Sequence, residues 1–492
     1  VTEQFLPALT TLLEPSVLLA VFTGTIGGIL VGAIPGLTAT MAVALLIPVT
    51  FGMNPAAGLA LMGGVYSGGM YGGAISAILL STPGTPAAAA TSFDGYPLAR
   101  QGKGGMALAV ATIASFWGGM LSTAALLLLA PVLARFSLRF GAPEYFLLSI
   151  MGLASIVTLT KGNMVKGLLS GVLGLLLATV GMDPLSGYLR FSFGVVELYD
   201  GISFMPALIG LFSVSQILEL TAESRILQKV GADPATLKRA PIPKGLAPTI
   251  LRGGLIGTLV GMLPGAGATI SAFISYNVAK QLSPEPETFG KGNPVGVAAA
   301  ESANNGCVGG SLIPLLTLGI PGNSVAAALM GGLLIHGLIP GPELFTRFGA
   351  VTYGFILSLF LANVLFLVLG LTCAPLFARV VRLPNALLIP AIAILSVVGS
   401  YAINNALFDV WLMLAFGATG YFFHRAGFSL GALVLGLILG PIAELGFGQS
   451  LIMSDGSWRI FFERPLCLLL WLLIAALLIP AFRKPRRAKA SA

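Results

Sequence analysis

One carboxylate sits alone in a long uncharged stretch. Glu301 is the only Asp, Glu, Lys or Arg between Lys291 and Glu343. Asn304 and Asn305 follow it three and four residues later, the spacing that puts side chains on one face of a helix. A carboxylate beside two amide carbonyls can hold sodium, carry a proton, or orient the amides. An ionisable group at membrane depth is a functional-site hypothesis by default. Glu301, Asn304 and Asn305 are therefore the candidate ion-binding set; the competing reading is a paired structural Glu near a helix end.

Four Pro-Gly pairs carry the second kind of chemistry. Thr38 and Thr40 follow Pro35-Gly36, and Ser81, Thr82 and Thr85 flank Pro83-Gly84. Thr269 and Ser271 follow Pro264-Gly265, and Asn323 and Ser324 follow Pro321-Gly322. A helix broken inside a membrane exposes N–H groups at its new N-terminus, which attract anions, and carbonyls at its new C-terminus, which suit a cation. The surroundings are polar yet nearly free of Lys and Arg, which suits an anion held by dipoles and then released. One Pro-Gly pair is more often a kink. Four in matching places, each with hydroxyl or amide neighbours, read as the substrate-binding tips of a transporter.

The elements that position these residues are membrane helices. Of 492 residues, 56% are hydrophobic and 9% charged, against about 25% charged in soluble domains. No Asp, Glu, Lys or Arg occurs in 15–93, 104–134 or 253–279. The chain reads as an all-α polytopic membrane protein with roughly 10–12 crossings plus re-entrant or broken helices. No alternation supports a membrane barrel. Gly63–Pro86 and Gly296–Ser324 read as too rich in glycine and polar residues for plain helices. The three cysteines show no metal or disulfide spacing. No Ser-Lys pair, Asp pair or metal motif of an intramembrane enzyme is visible, and no cofactor is expected beyond a coupling ion, sodium or proton.

The net charge of +8 is local. Six Lys/Arg lie in 222–252 and five from Arg483 onward; the positive-inside rule places both in the cytoplasm and leaves no need for a nucleic-acid partner. The start has no basic n-region, so no cleavable signal peptide is expected. Asn163, Asn404, Asn405 and Asp409 form a second polar set that interhelical hydrogen bonding explains at least as well as ion binding. His336 reads as packing, and His424-Arg425 as a loop.

The chain looks duplicated. Residues 28–40 (GILVGAIPGLTAT) match 257–269 (GTLVGMLPGAGAT) at 8 of 13 positions, an offset of 229. Pro83-Gly84 matches Pro321-Gly322 at 238, while Pro143 with Pro384 and Asn163 with Asn404 match at 241. The expected organisation is a first membrane repeat (1–220), a cytoplasmic linker (221–250), a second repeat (251–482) and a basic cytoplasmic tail (483–492). Arg135 and Arg139 precede Pro143 as Arg379 and Arg382 precede Pro384, which favours parallel repeats; transporter precedent favours inverted ones.

Two blocks carry a resemblance. GAIPGLTATMAVALLIPVTFGMNPAAGLALMGGVYSGGMYGGAISAILLSTPGTPAAAATSFDGYPLARQGKGGMAL and AAAESANNGCVGGSLIPLLTLGIPGNSVAAALMGGLLIHGLIPGP resemble the two signatures of the large membrane subunit of tripartite tricarboxylate transporters. The resemblance implies a bacterial inner-membrane protein working with a small membrane subunit and a periplasmic solute-binding protein. It further implies uptake of carboxylates such as citrate, driven by an ion gradient, commonly sodium. The alternative is a stand-alone symporter or channel with no binding protein.

Overall fold

The structure, a computed structural model, describes residues 2–159, 164–223, 241–265, 267–373, 376–377 and 385–482. Asn163, Arg379, Arg382, Pro384, most of the expected linker and the expected tail lie outside these residues. The chain divides into two compact units: Val1–Leu138 with Ser203–Arg425, and Arg139–Ile202 with Ala426–Ala492. Both sequence halves contribute to each.

The described helices run in chain order. They begin with α1 (Thr2–Leu12), α2 (Pro15–Ala33), α3 (Ala39–Thr50), α4 (Pro55–Leu80), α5 (Ala89–Leu98) and α6 (Gly104–Ser137). Next are α7 (Ala142–Leu159), α8 (Met164–Ala178), α9 (Phe204–Ile209) and α10 (Ser215–Glu223). The second half supplies α11 (Ala247–Gly261), α12 (Gly267–Gln281), α13 (Pro294–Leu318), α14 (Ser324–Ile335), α15 (Pro342–Thr346) and α16 (Gly349–Thr372). The last are α17 (Asn385–Asn404), α18 (Leu407–Arg425), α19 (Leu430–Met453), α20 (Ile460–Glu463) and α21 (Pro465–Phe482). Among the described residues, seven helical segments are long and apolar enough to cross a membrane. The protein is an all-α polytopic membrane protein.

Two expectations are corrected. The glycine-rich stretches are not broken internally: Pro55–Leu80 and Pro294–Leu318 are continuous helices of 26 and 25 residues, and the interruptions come just after them. Glycine disfavours a helix in water, but here its missing side chain lets helices touch backbone to backbone, which drives association in lipid. Likewise His424 and Arg425 form the last turn of α18, not a loop; there His424 Nδ1 lies 3.1 Å from Glu219 Oε1.

The larger unit is built on two close helix pairs. A Cβ at Gly24, Gly28 or Gly32 of α2 would strike the main chain of Leu61, Val65 or Gly69 of α4. In the second pair, Gly253, Gly257 and Gly261 of α11 meet α13 at Ser302 and Ala299, at Ala303 and at Cys307. The glycines correspond at the offset of 229, and Leu61, Val65 and Gly69 correspond to Ala299, Ala303 and Cys307 at 238. The turns repeat too. Gly84 N donates to Gly73 O, and Gly322 N to Ser311 O, both at 3.4 Å. After α4 the αL position is filled by Ser81 (φ 57), and after α13 by Gly319 (φ 71); Ser81 carries the strain that glycine avoids.

The corresponding helices run in opposite directions. Tyr66 meets Ser311, whereas Asn304, earlier in α13, donates to Met70 O, later in α4. Gly119 of α6 abuts Asn363 of α16, while Thr112 abuts Gly370. Both pairs are therefore antiparallel.

Asp94 closes one end of this unit. Its Oδ1 accepts from the main-chain N–H groups of Gly290, Gly292 and Asn293 at 2.8, 2.9 and 2.8 Å, and its Oδ2 accepts from Tyr276 OH at 2.8 Å. The side chain is fully buried, so these bonds replace its lost hydration and tie α5 to the α12–α13 connection.

The smaller unit contains α7, α8 and α19–α21, with a two-stranded hairpin pairing Gly181–Met182 with Leu189–Arg190 that the sequence reading did not anticipate. Arg190 forks onto both oxygens of Glu444. Buried Glu144 accepts from Gly141 N at 2.8 Å and pairs with Arg464 Nε at 2.7 Å.

Asp94→Asn should lower stability by about 3 kcal/mol, since an amide keeps the shape but not the charge that the N–H groups face. Thermal unfolding of the purified variant in detergent would check this; an unchanged midpoint would mean that the clamp is dispensable.

Candidate functional site

The four interruptions meet. The α2–α3 break touches the α4–α5 break where Gly84 sits against Gly32 O. The α11–α12 break bonds to the α13–α14 break through Gly265 N and Gly322 O, 3.0 Å apart. Thr40 Oγ1 and Ser324 Oγ, at the starts of α3 and α14, are 3.0 Å apart. Finally, α12 packs on the 3-10 turn Pro86–Ala88, and Gly267 at its start faces Asn323. The N-termini of α3, α12 and α14 and of the 86–88 turn thus gather in one region. The C-termini of α2 and α11 end beside them. Each N-terminus presents N–H groups and a partial positive charge; each C-terminus presents carbonyls.

The substrate-set residues divide by what they already do. Thr38 is spent as the α3 N-cap, accepting from Met41 N at 3.2 Å. Asn323 caps α14 through Ala326 N at 2.9 Å and donates to Tyr66 OH at 2.7 Å. Thr40 and Ser324 bond only to each other among the described residues. Thr82 Oγ1 and Thr85 Oγ1 are buried without a partner among the described residues. Thr269 is half-buried, and Ser81 is exposed at its αL turn. Pro35, Pro83, Pro264 and Pro321, with Gly36, Gly84, Gly265 and Gly322, form the breaks; Gly36 (φ 87) and Gly265 (φ 75) make the left-handed turns.

The ion set lies on α13 against α4, α5 and α6. Glu301 is fully buried. Its Oε1 accepts from Thr91 Oγ1. Its Oε2 accepts from Ser115 Oγ at 3.0 Å and Asn304 Nδ2 at 3.3 Å. No Lys, Arg or His pairs with it among the described residues. The carboxylate pulls the Asn304 amide nitrogen to one side, and the same nitrogen donates to Met70 O at 3.2 Å. Asn304 Oδ1 is left buried and unpartnered. Asn305 Nδ2 reaches Ser67 O at 3.5 Å, and its Oδ1 is likewise unpartnered, as is Ser67 Oγ. Buried oxygens without donors are uncommon; here three lie on the facing stretches of α4 and α13, one of them on Asn304, whose amide nitrogen bonds to Glu301.

Sequence reasoning missed Tyr66, Ser67, Thr91, Ser115, Cys307 and Ser311. Tyr66 OH sits 2.8 Å from Ser311 Oγ and takes the Asn323 amide; Cys307 Sγ lies 3.8 Å from the same amide nitrogen. A signal for two of them existed. At the offset of 238, Tyr66 and Ser67 are the counterparts of Asn304 and Asn305. Thr91 and Ser115 carried none, because only packing brings them to Glu301. Of the second polar set, Asn404 donates to Asp409 Oδ2 at 2.8 Å, an interhelical tie.

The chain is 38% identical over 484 residues to an Agrobacterium vitis protein described as "Uncharacterized 52.8 kDa protein in TAR-I ttuC' 3'region", covering 97% of this chain and 96% of the relative. It is 40% identical over 210 residues to a second, "Uncharacterized protein in TAR-II ttuC' 3'region", from the same organism, covering 43% of this chain and 87% of that one. No solved structure matches. Residues 18–435 match the family described as "Tripartite tricarboxylate transporter TctA family". The chain, a multi-pass membrane protein with broken helices meeting in its larger unit, belongs to the tripartite tricarboxylate transporter TctA family.

Proposed function

We propose that this protein is the large membrane subunit of a bacterial inner-membrane system that takes up tricarboxylates or other small carboxylates. It draws on a sodium gradient and works with a small membrane subunit and a periplasmic solute-binding protein. The observation that carries the reading is the meeting of the breaks: α3 and α14 start side by side, with Thr40 Oγ1 and Ser324 Oγ 3.0 Å apart, and Gly267 at the start of α12 faces Asn323. A carboxylate needs several N–H and O–H donors at once, and converging N-termini supply them without a fixed cation that would hold the substrate too long. The family supplies the substrate class and the partners.

The cation belongs beside it. Glu301 has no countercharge, and an unpaired buried carboxylate is costly. A sodium ion accepted by Asn304 Oδ1, with Asn305 Oδ1 and Ser67 Oγ nearby, would satisfy the orphan oxygens and neutralise Glu301. In this scheme Glu301 orients Asn304 and compensates the ion's charge, while the amides supply the oxygens. Binding of the anion at the helix N-termini and of the cation beside them then favour each other, which is coupling in its thermodynamic sense. The antiparallel runs of α4 with α13 and of α6 with α16 support an inverted duplication as the origin of the site and opening toward alternate faces as its mechanism.

Two experiments follow. In proteoliposomes holding the whole tripartite complex, Thr40→Val and Ser324→Ala should each lower carboxylate uptake roughly tenfold or more, with normal amounts of protein in the membrane; near-normal uptake in both would remove the tips from the site. In the same assay, Asn304→Ala should raise the sodium concentration for half-maximal uptake roughly tenfold, the worth of one contact to a charge. Glu301→Gln should weaken the sodium dependence further. If both variants keep the parent's sodium curve, the ion does not bind there.

A further inference from the structure

The larger unit contains an apolar cavity of about 990 Å³. It is separate from the broken-helix site. One wall is α6, from Val110 to Ala124 and including Trp117; the other is the segment Ile242–Leu251, which leads into α11. The α6 wall alone runs roughly 20 Å along the helix axis. Trp117 is 56% exposed and Leu251 56% exposed, so the cavity opens outward to what a membrane helix meets, lipid. Its volume is at the upper end of ligand pockets, about 300–1,000 Å³.

The charge at one end is what selects an occupant. Lys244 lies between the lining residues Pro243 and Gly245, and Arg252 directly follows Leu251. Neither forms an ion pair with a described carboxylate. Lys244 stands just before α11 and Arg252 in its second turn, so both lie toward the starting end of that helix. That end is shared with the starts of α6 and α13, because Gly118 packs on Ser302, Gly309 packs on Ser122, and Gly253, Gly257 and Gly261 follow α13 in order. Lys103 precedes α6, and Lys291 is joined to Gln101 by a 2.9 Å hydrogen bond. Asp94, Glu285 and Glu287 share this end, but Arg100, Lys103, Lys244, Arg252, Lys280 and Lys291 outnumber them, so it is the side that faces the cytoplasm by the positive-inside rule. An apolar slot running into the bilayer beside an exposed Lys244 and a half-buried Arg252 has the chemistry of an anionic lipid site.

We propose that this cavity binds an anionic phospholipid, its acyl chains along Trp117 and its phosphate between Lys244 and Arg252. Such a lipid would brace α6 against α11, the two helices that flank α13 and the ion set.

The test uses the full chain in nanodiscs of phosphatidylcholine, with Trp411→Phe, Trp458→Phe and Trp471→Phe leaving Trp117 as the reporter. The probes are phosphatidylglycerol and phosphatidylcholine carrying dibrominated acyl chains, which quench tryptophan on contact. Each basic residue is worth about fivefold in affinity for anionic lipid, so phosphatidylglycerol should half-quench Trp117 at a mole fraction roughly 25-fold lower than phosphatidylcholine. Lys244→Ala with Arg252→Ala should erase that advantage and leave quenching by phosphatidylcholine intact; Lys244→Gln with Arg252→Gln serves if the alanine variant does not fold. Ala124→Phe, which fills the slot, should also erase it. Equal quenching by the two lipids in the parent would overturn the proposal. An advantage that survives the charge removal, or that survives the filled slot, would overturn it as well.

Discussion

Main-chain N–H and C=O groups in a bilayer must find partners inside the protein, and this requirement governs the architecture. The chain interrupts its helices at Pro35, Pro83, Pro264 and Pro321, each time freeing groups that lipid would not satisfy. The interruptions persist because they are enclosed. The glycine faces of α2 and α11 lie against α4 and α13 so closely that a single methyl group at Gly28 or Gly257 would strike the facing main chain. Each broken helix is thus pressed to a continuous one, and the freed groups find one another, as Gly84 N finds Gly73 O and Gly265 N finds Gly322 O. Some are left over at the helix starts, and those make the region attractive to an anion.

The two kinds of helix divide the labour. The continuous helices α4 and α13 are buried along nearly their whole length and carry Tyr66, Ser67, Glu301, Asn304 and Asn305 on facing sides. The short helices α3, α12 and α14 bring their N-termini to the same place. Tyr66 links the two groups by accepting the Asn323 amide while meeting Ser311. Hydroxyls and N–H groups crowd the tips, and orphan amide oxygens line the α4–α13 contact.

Legibility in the sequence followed the range of the interaction. The membrane class, the helical nature and the four Pro-Gly breaks were all readable, because they rest on local composition and spacing. The glycine-rich helices were misread for the same reason: propensity is local, whereas the contact that makes Gly63–Gly73 favourable lies on other helices. The choice between inverted and parallel halves was open, since arginines near Pro143 and near Pro384 pointed one way and precedent another; the Tyr66–Ser311 and Asn304–Met70 contacts show that α4 and α13 run antiparallel.

The sequence by itself determined that this chain is helical, crosses the membrane many times, breaks its helices at four corresponding places and places one carboxylate with two amides on one face of a helix. Hydrophobicity and backbone chemistry act residue by residue, so those features needed no partner. Only the tertiary structure decided that the four breaks meet, that Asn323 and Thr38 are consumed as caps, and that Glu301 takes Thr91 and Ser115 as well as Asn304. Thr91 is 210 residues from Glu301 and Ser115 is 186. At such separations the pairing is set by packing geometry, which no local pattern encodes.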